Sequence, residues 1–354
     1  MIFASKAANV LLARCRARYG QRLTARDIDA LTGCRTVADC AACLKNTRYA
    51  DCLSDMGERI MRRGAFEAAL DRHLLGELYG LCRCEQSVGD WFADYLLMQS
   101  EIRLIMSVVL RLSSGRMQSP QGKIDMPARL HTGIDTERLS TCTDYDDLLE
   151  AVRHSRFIKV LRALRPLPGN LPDSALIEHS LYAAFYDKVA ELIDHHSGSA
   201  RDELTELISA QIDMANFRHV YRLKKYYAAD EAAVRSMLLG QKSVTGSRVM
   251  RRMTAAPDAE AVLKIFLEDT PYGRHIDREV LAREGGLEAA TRLLVLNRAR
   301  RLMHFSVHPS TVLLAYIIMA EAEVHDLTTI VEGVYYGLPR EEILSLITIN
   351  ELAG

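Results

Sequence analysis

The chain has 354 residues, more than one minimal core requires and enough for two or three packed units of ordinary size. Hydrophobic residues make up 49% and charged residues 26%, which excludes global disorder, and a formal net charge of −1 leaves no basic surplus for nucleic acid or an acidic membrane surface. Only 9 prolines and 20 glycines interrupt a composition rich in Leu, Ala, Arg and Glu, so helix is favoured throughout.

Met1–Lys6 lacks the basic start, apolar stretch and small-residue cleavage site of a signal peptide. A helix is expected over about Ser5–Tyr19 and is expected to pack beside the last part of the chain. Thr24-Ala25-Arg26-Asp27 and Thr36-Val37-Ala38-Asp39 then read as capping boxes with Asp in the place of Glu. Each hydroxyl can take up an orphan amide while the acid faces the positive helix end. The second box opens an amphipathic stretch, Val37–Leu44, which closes on Asn46-Thr47-Arg48-Tyr49. Two longer helical patterns follow, about Phe66–Cys84 and Trp91–Leu112. Ser113-Ser114-Gly115 through Pro120-Gln121-Gly122 is a linker by its breakers.

The same order then recurs. Tyr145–Val152 is amphipathic and leads to His154-Ser155-Arg156-Phe157; after an Arg165–Pro172 loop, long patterns cover Ala175–Asp194 and Asp202–Tyr226. A third round has Ala259–Phe266, Asp269-Thr270-Pro271-Tyr272, and long patterns over Leu287–His304 and Ser310–Val331. Pro309 suits a first helical turn, where its missing N–H costs nothing. Gly333, Gly337 and Pro339 stop the last long helix before a short terminal one, Arg340–Ile347. No stretch alternates convincingly as a strand. The longest apolar run, Val312–Ala320, falls far short of the roughly 20 residues that span a bilayer. The expected fold class is all-α.

Two markers give the period of this repeat. The aromatics Tyr49, Phe157 and Tyr272 stand 108 and 115 residues apart, and an acid in the later long helix of each round, Glu101, Asp213 and Glu323, recurs after 112 and 110 residues. Three helical lobes are therefore expected, over residues 1–115 (with the N-terminal helix), 116–228 and 229–354.

The residues that carry these markers resemble the C-subunit family of prokaryotic V/A-type ATPases, whose eukaryotic counterpart is the d-subunit. The carriers are Leu23-Thr24-x-x-Asp27 with Leu44-x-x-Thr47-x-Tyr49; Asp213-x-x-Asn216-Phe217-Arg218 running to Arg222; and Leu267-x-x-Thr270-x-Tyr272. A C-terminal run, His308-Pro309, Tyr316, Glu321-x-Glu323-x-x-Asp326-Leu327, Ile330, Gly333 and Gly337, completes them. The resemblance covers essentially the whole chain. It implies three similar lobes about a pseudo-threefold axis, forming a funnel-shaped socket on the cytoplasmic face of a membrane proteolipid ring. The socket would receive the central shaft and transmit torque for proton or sodium transport, without chemistry of its own. One departure is plain: Asn216 follows Asp213 by three residues, whereas Leu104 and Asp326 stand in that place after Glu101 and Glu323.

Glu101, Asp213, Asn216, Arg218, Glu323 and Asp326 are the candidate site residues. They suit either charged contacts to the shaft or ring, or caps and ion pairs within each lobe, for example with Arg103 or Arg218; the second reading is the commoner fate of such acids. The three aromatics read as packing anchors. Seven of the eight cysteines lie before residue 85, including Cys40-Ala41-Ala42-Cys43 and Cys82-Arg83-Cys84. On an amphipathic helix such cysteines serve as small hydrophobes, so no metal and no cofactor is expected. Gly240-Gln241-Lys242-Ser243 lacks the upstream glycine and strand of a P-loop, and His195-His196 lacks the Glu of a zinc protease. A protein-binding helical solenoid is the alternative, but its repeats run at about 34–47 residues, far below the spacing here.

Overall fold

The computed structural model describes residues 2–53, 63–86, 93–114, 133–167, 169–240, 245–283 and 285–348, and all regular structure among them is helical. The first third holds α1 (Ile2–Tyr19), α2 (Ala25–Thr32), α3 (Val37–Leu44), α4 (Ala50–Leu53), α5 (Arg63–Gln86) and α6 (Ala93–Ser113). Next come α7 (Thr136–Thr141), α8 (Tyr145–Ala151), α9 (Ile158–Ala163), α10 (Ser174–Asp194), α11 (Gly198–Tyr226) and α12 (Glu231–Ser236). The last third holds α13 (Ser247–Thr254), α14 (Ala259–Asp269), α15 (Arg278–Ala282), α16 (Gly286–Phe305), α17 (Pro309–Tyr336) and α18 (Arg340–Leu346). Most of the linker expected after Ser114, and Gln241-Lys242-Ser243, lie outside the described residues.

Local chemistry accounts for the boundaries. Thr24 and Thr36 each accept from the amide three residues on while Asp27 and Asp39 reach back, so both capping boxes are formed. Asp135, Asp144, Asp173, Asp230, Asp258 and Asp277 cap six further helices through their carboxylates. Pro309 occupies the first turn of α17, and Gly337 ends it in the left-handed region at φ 70°.

The chain divides into two compact units. One comprises Met1–Asp90, Ser197–Leu238 and Lys242–Gly354. At its centre is α17, flanked by α16, α5, α1 and α11. From Ser310 to Ala320 every residue of α17 is buried, as a helix apolar on all sides must be when water surrounds the body that contains it. The expected contact of the N-terminal helix with the last part of the chain is present as α1 on α17. Near the far end of α17 a close approach requires Gly333: a Cβ there would lie 2.6 Å from Cγ1 of Ile343 on α18.

Directions within this unit follow from side-chain bonds. Ser199 and Glu203, at the start of α11, bond His308 and Ser306 at the α16–α17 turn, whereas Arg218 and Arg222 pair with Glu288 at the start of α16. So α11 runs alongside α16 in the opposite direction and shares the sense of α17. At one end, the α16–α17 turn exposes Phe305 and Val307; the helices finish with exposed Tyr226-Tyr227 and Tyr335-Tyr336. The turn is rigidly held, because Arg16 donates to the carbonyls of Met303, His304 and Ser306.

The second unit comprises Trp91–His196 with Leu239–Gln241. Its long pair is α6 on α10, with Tyr95 and Phe185 rings 5.2 Å apart, and α8 and α9 pack together where Tyr145 donates to the Leu161 carbonyl at 2.9 Å.

Candidate functional site

Each of the three recurring acids lies buried on its long helix: Glu101 on α6, Asp213 on α11 and Glu323 on α17. Each is held by a module of short helices distant in sequence. Tyr49 donates its hydroxyl to Glu323 Oε1 at 2.5 Å, and the Leu23 amide donates to Oε2 at 3.1 Å. Around Asp213 the pattern repeats, with Tyr272 donating to Oδ2 at 2.7 Å and the Thr245 amide donating to the same oxygen at 3.0 Å. The remaining module, second in chain order, ends in Phe157, which has no hydroxyl to give; there Arg156 Nε stands 3.7 Å from Glu101 Oε2.

A shared turn aims these aromatics. In all three modules the aromatic amide bonds the hydroxyl two residues earlier at 3.3 Å: Tyr49 to Thr47, Phe157 to Ser155 and Tyr272 to Thr270. The intervening residue is Arg in two cases, and both arginines approach the acid at nearly one distance, Arg48 to Glu323 at 3.8 Å and Arg156 to Glu101 at 3.7 Å. Pro271 interrupts the third, where Arg298 instead lies over the Tyr272 ring at 4.7 Å.

Glu323 is the most heavily furnished acid. Arg48 lies between it and Glu77, to which Arg48 donates at 2.5 Å; Glu77 also accepts from Tyr316 and pairs with Arg18. The two carboxylates shift in opposite directions. Burial dominates at Glu323 and raises its pKa despite Arg48, Tyr49 and the Leu23 amide. Burial would also raise Glu77, but the Tyr316 hydroxyl, Arg48 and Arg18 outweigh it and hold that carboxyl below 4.5. Burial, then the neighbouring Glu323, pushes the Tyr49 phenol well up, so it stays a donor.

Beside this network a narrow cleft is lined by Leu23, Leu296 and Met319 together with Arg48, Glu323 and Asp326. Asp326 accepts from the Thr348 amide at 2.7 Å and from Arg292 at 3.0 Å, which pins the C-terminal segment. Thus Glu323 and Asp326 meet at one cleft. Asn216 is buried on α11, and Arg218 reaches Thr291 at 3.2 Å and Glu288 at 3.4 Å. Glu101 belongs to the second unit.

Sequence reasoning found the acids and the aromatics as separate markers and missed that they bond each other. It gave no site role to Arg48, Glu77 or Tyr316; the recurrence of Arg before Tyr49 and Phe157 was the available signal for the first. Among the described residues no group of three or more His, Cys, Asp or Glu is placed to hold a metal ion.

The family described as ATP synthase (C/AC39) subunit matches residues 11–346. The chain belongs to that family. This C/AC39-family chain is similar to the A-type ATP synthase C-subunit of Pyrococcus abyssi (strain GE5 / Orsay), 22% identical over 345 residues, covering 96% of this chain and 90% of the relative. It is also similar to the protein of the same name from Pyrococcus horikoshii, 24% identical over 339 residues with 95% and 88% covered. With its Archaeoglobus fulgidus namesake, identity is 28% over 177 residues, 48% of each chain. No described helix of the C/AC39-family chain is long and apolar enough to cross a membrane.

Proposed function

We propose that this chain is the non-catalytic central-stalk subunit of a rotary ATPase, linking the shaft to the membrane proteolipid ring from the cytoplasmic side and transmitting torque between them. The carrying observation is the family match from residue 11 to residue 346. The arrangement within the first unit supports it. A coupling part needs a stiff body with two separated contact faces. The 28 residues of α17 extend over about 40 Å, with exposed Phe305 and Val307 before its start and exposed Tyr335 and Tyr336 at its finish.

The three capped acids support the reading of three related lobes, over residues 1–115, 116–228 and 229–354, about a pseudo-threefold axis. Each acid accepts from or pairs with the module that follows in order, and the last is capped by the first module of the chain. In this reading Glu101, Asp213 and Glu323 structure the lobes, together with Asn216, Arg218 and Asp326, and the partners meet the exposed helix ends.

Co-purification from gently solubilised membranes tests the proposal. Recovery of the tagged chain with an intact rotary ATPase is expected, together with unchanged ATP hydrolysis by the separated catalytic head when this chain is removed. A purely soluble pool without ATPase or proteolipid partners in any condition would overturn it, as would a fall in hydrolysis by that isolated head.

A further inference from the structure

Cys40 and Cys43, read from the sequence as small hydrophobes, share one corner with Cys34. Cys34 follows the C-cap glycine of α2, and its sulfur lies 3.6 Å from that of Cys43 in the last turn of α3. Both are half-buried, within reach of small solutes, whereas Cys40 on the same helix is fully buried. The pair that faces across the corner is thus Cys34 with Cys43, not the Cys40-x-x-Cys43 pair that the spacing singles out.

We propose that Cys34 and Cys43 are an oxidation site of this chain, forming a reversible disulfide with hydrogen peroxide as oxidant. A disulfide needs the sulfurs at about 2.05 Å, some 1.5 Å closer than the 3.6 Å at which they stand. One thiol, Cys43, attacks the outer peroxide oxygen; the O–O bond breaks, water leaves, and Cys43 becomes a sulfenic acid. The sulfur of Cys34 then attacks that sulfur. The S–O bond breaks, and the departing hydroxide takes the Cys34 proton as a second water. Two thiols give two electrons and two protons; one hydrogen peroxide becomes two waters.

The environment sets the character of this site. Burial, with the sulfurs of Cys40 and Cys43 beside it, pushes the Cys34 thiol up, and burial pushes Cys40 up to about 11. Neither is an activated thiolate, so proximity rather than acidity selects the pair. The bond would tie the end of α2 to the end of α3. That module carries the Leu23 amide and the Tyr49 hydroxyl that hold Glu323, so oxidation would stiffen one of the three clamps.

Peptide mapping of the purified full chain after hydrogen peroxide treatment tests this. Tryptic cleavage at Arg35 separates Cys34, in residues 27–35, from Cys43, in residues 36–45. The two peptides are expected as one linked species, two hydrogens lighter than their sum and released by dithiothreitol. The link should survive in Cys40→Ala and be lost in Cys34→Ser and in Cys43→Ser, with the last two variants, when reduced, melting like the parent. Oxidised parent should melt above reduced parent, and that difference should vanish in Cys43→Ser. Persistence of the link in Cys43→Ser would assign the bond to Cys40 and overturn the proposal. So would both thiols remaining free, or passing to sulfinic acids unlinked, at peroxide levels that link other surface thiol pairs.

Discussion

At the residue scale the decisive features are hydroxyls and guanidinia aimed at buried carboxylates. A buried acid short of one donor keeps its desolvation cost, so Tyr49→Phe should destabilise the chain by about 1–3 kcal/mol in urea unfolding, and Tyr272→Phe by a similar amount. Unchanged stability in both would mean that the hydroxyls are incidental to packing. Glu77 provides a pH test. Its folded pKa lies below the ordinary 4.5, so the stability it contributes is complete above about pH 4.5 and is lost as pH falls through the lower folded value. The stability advantage of the parent over Glu77→Gln should therefore shrink on acidification below about pH 4.5 and stay flat from there to neutrality. Growth of the advantage on acidification would contradict the direction assigned to Glu77. These residues were half legible in the sequence. Glu101, Asp213 and Glu323 announce themselves by recurrence, but Tyr49 lies 274 residues from its acceptor and Tyr272 lies 59 from its own, and no local pattern links such distances. Arg218 pairs with Glu288 on α16, an ion pair across 70 residues that no local pattern announces.

At the element scale the chain was far more readable. Val37–Leu44 was expected and is α3; the later long helices match their patterns within a few residues at each end. The reason is local chemistry: hydroxyl and carboxylate caps, a proline in the first turn of α17 and a left-handed glycine after its last all act within one turn of the boundary they set. Gly333 is different, because its role is tertiary. It read as a helix stop, yet it lies inside α17 and admits Ile343 of α18. Gly333→Ala should cost about 1–3 kcal/mol through overpacking, and Gly333→Ala with Ile343→Ala should be less destabilised than the two single changes summed. Strict additivity in thermal unfolding would show that the contact does not limit the α17–α18 approach.

At the scale of the whole molecule, the proposed function predicts two separate partner faces at the exposed ends of α17 in the first unit, and the ends can be separated by mutation. Phe305→Ser with Val307→Ser, and Tyr335→Ser with Tyr336→Ser, touch exposed side chains only, so both double variants should keep the parent's helicity and melting. In reconstituted assemblies each is expected to weaken association with one partner, shaft or proteolipid ring, and to spare the other. Loss of both partners from either variant would argue against two separate faces. The fold class was legible from breakers and periodicity; the two-unit division of contacts was not, since it joins three stretches of chain that are far apart in number. The Tyr49–Glu323 bond has a further consequence, which concerns biosynthesis. A ribosome adding about 5–20 residues per second needs roughly 15–55 seconds to travel from Tyr49 to its acceptor, 274 residues on. Throughout that interval the first module has emerged without the helix that completes it, so the earliest part of the chain to be made is among the last to be secured.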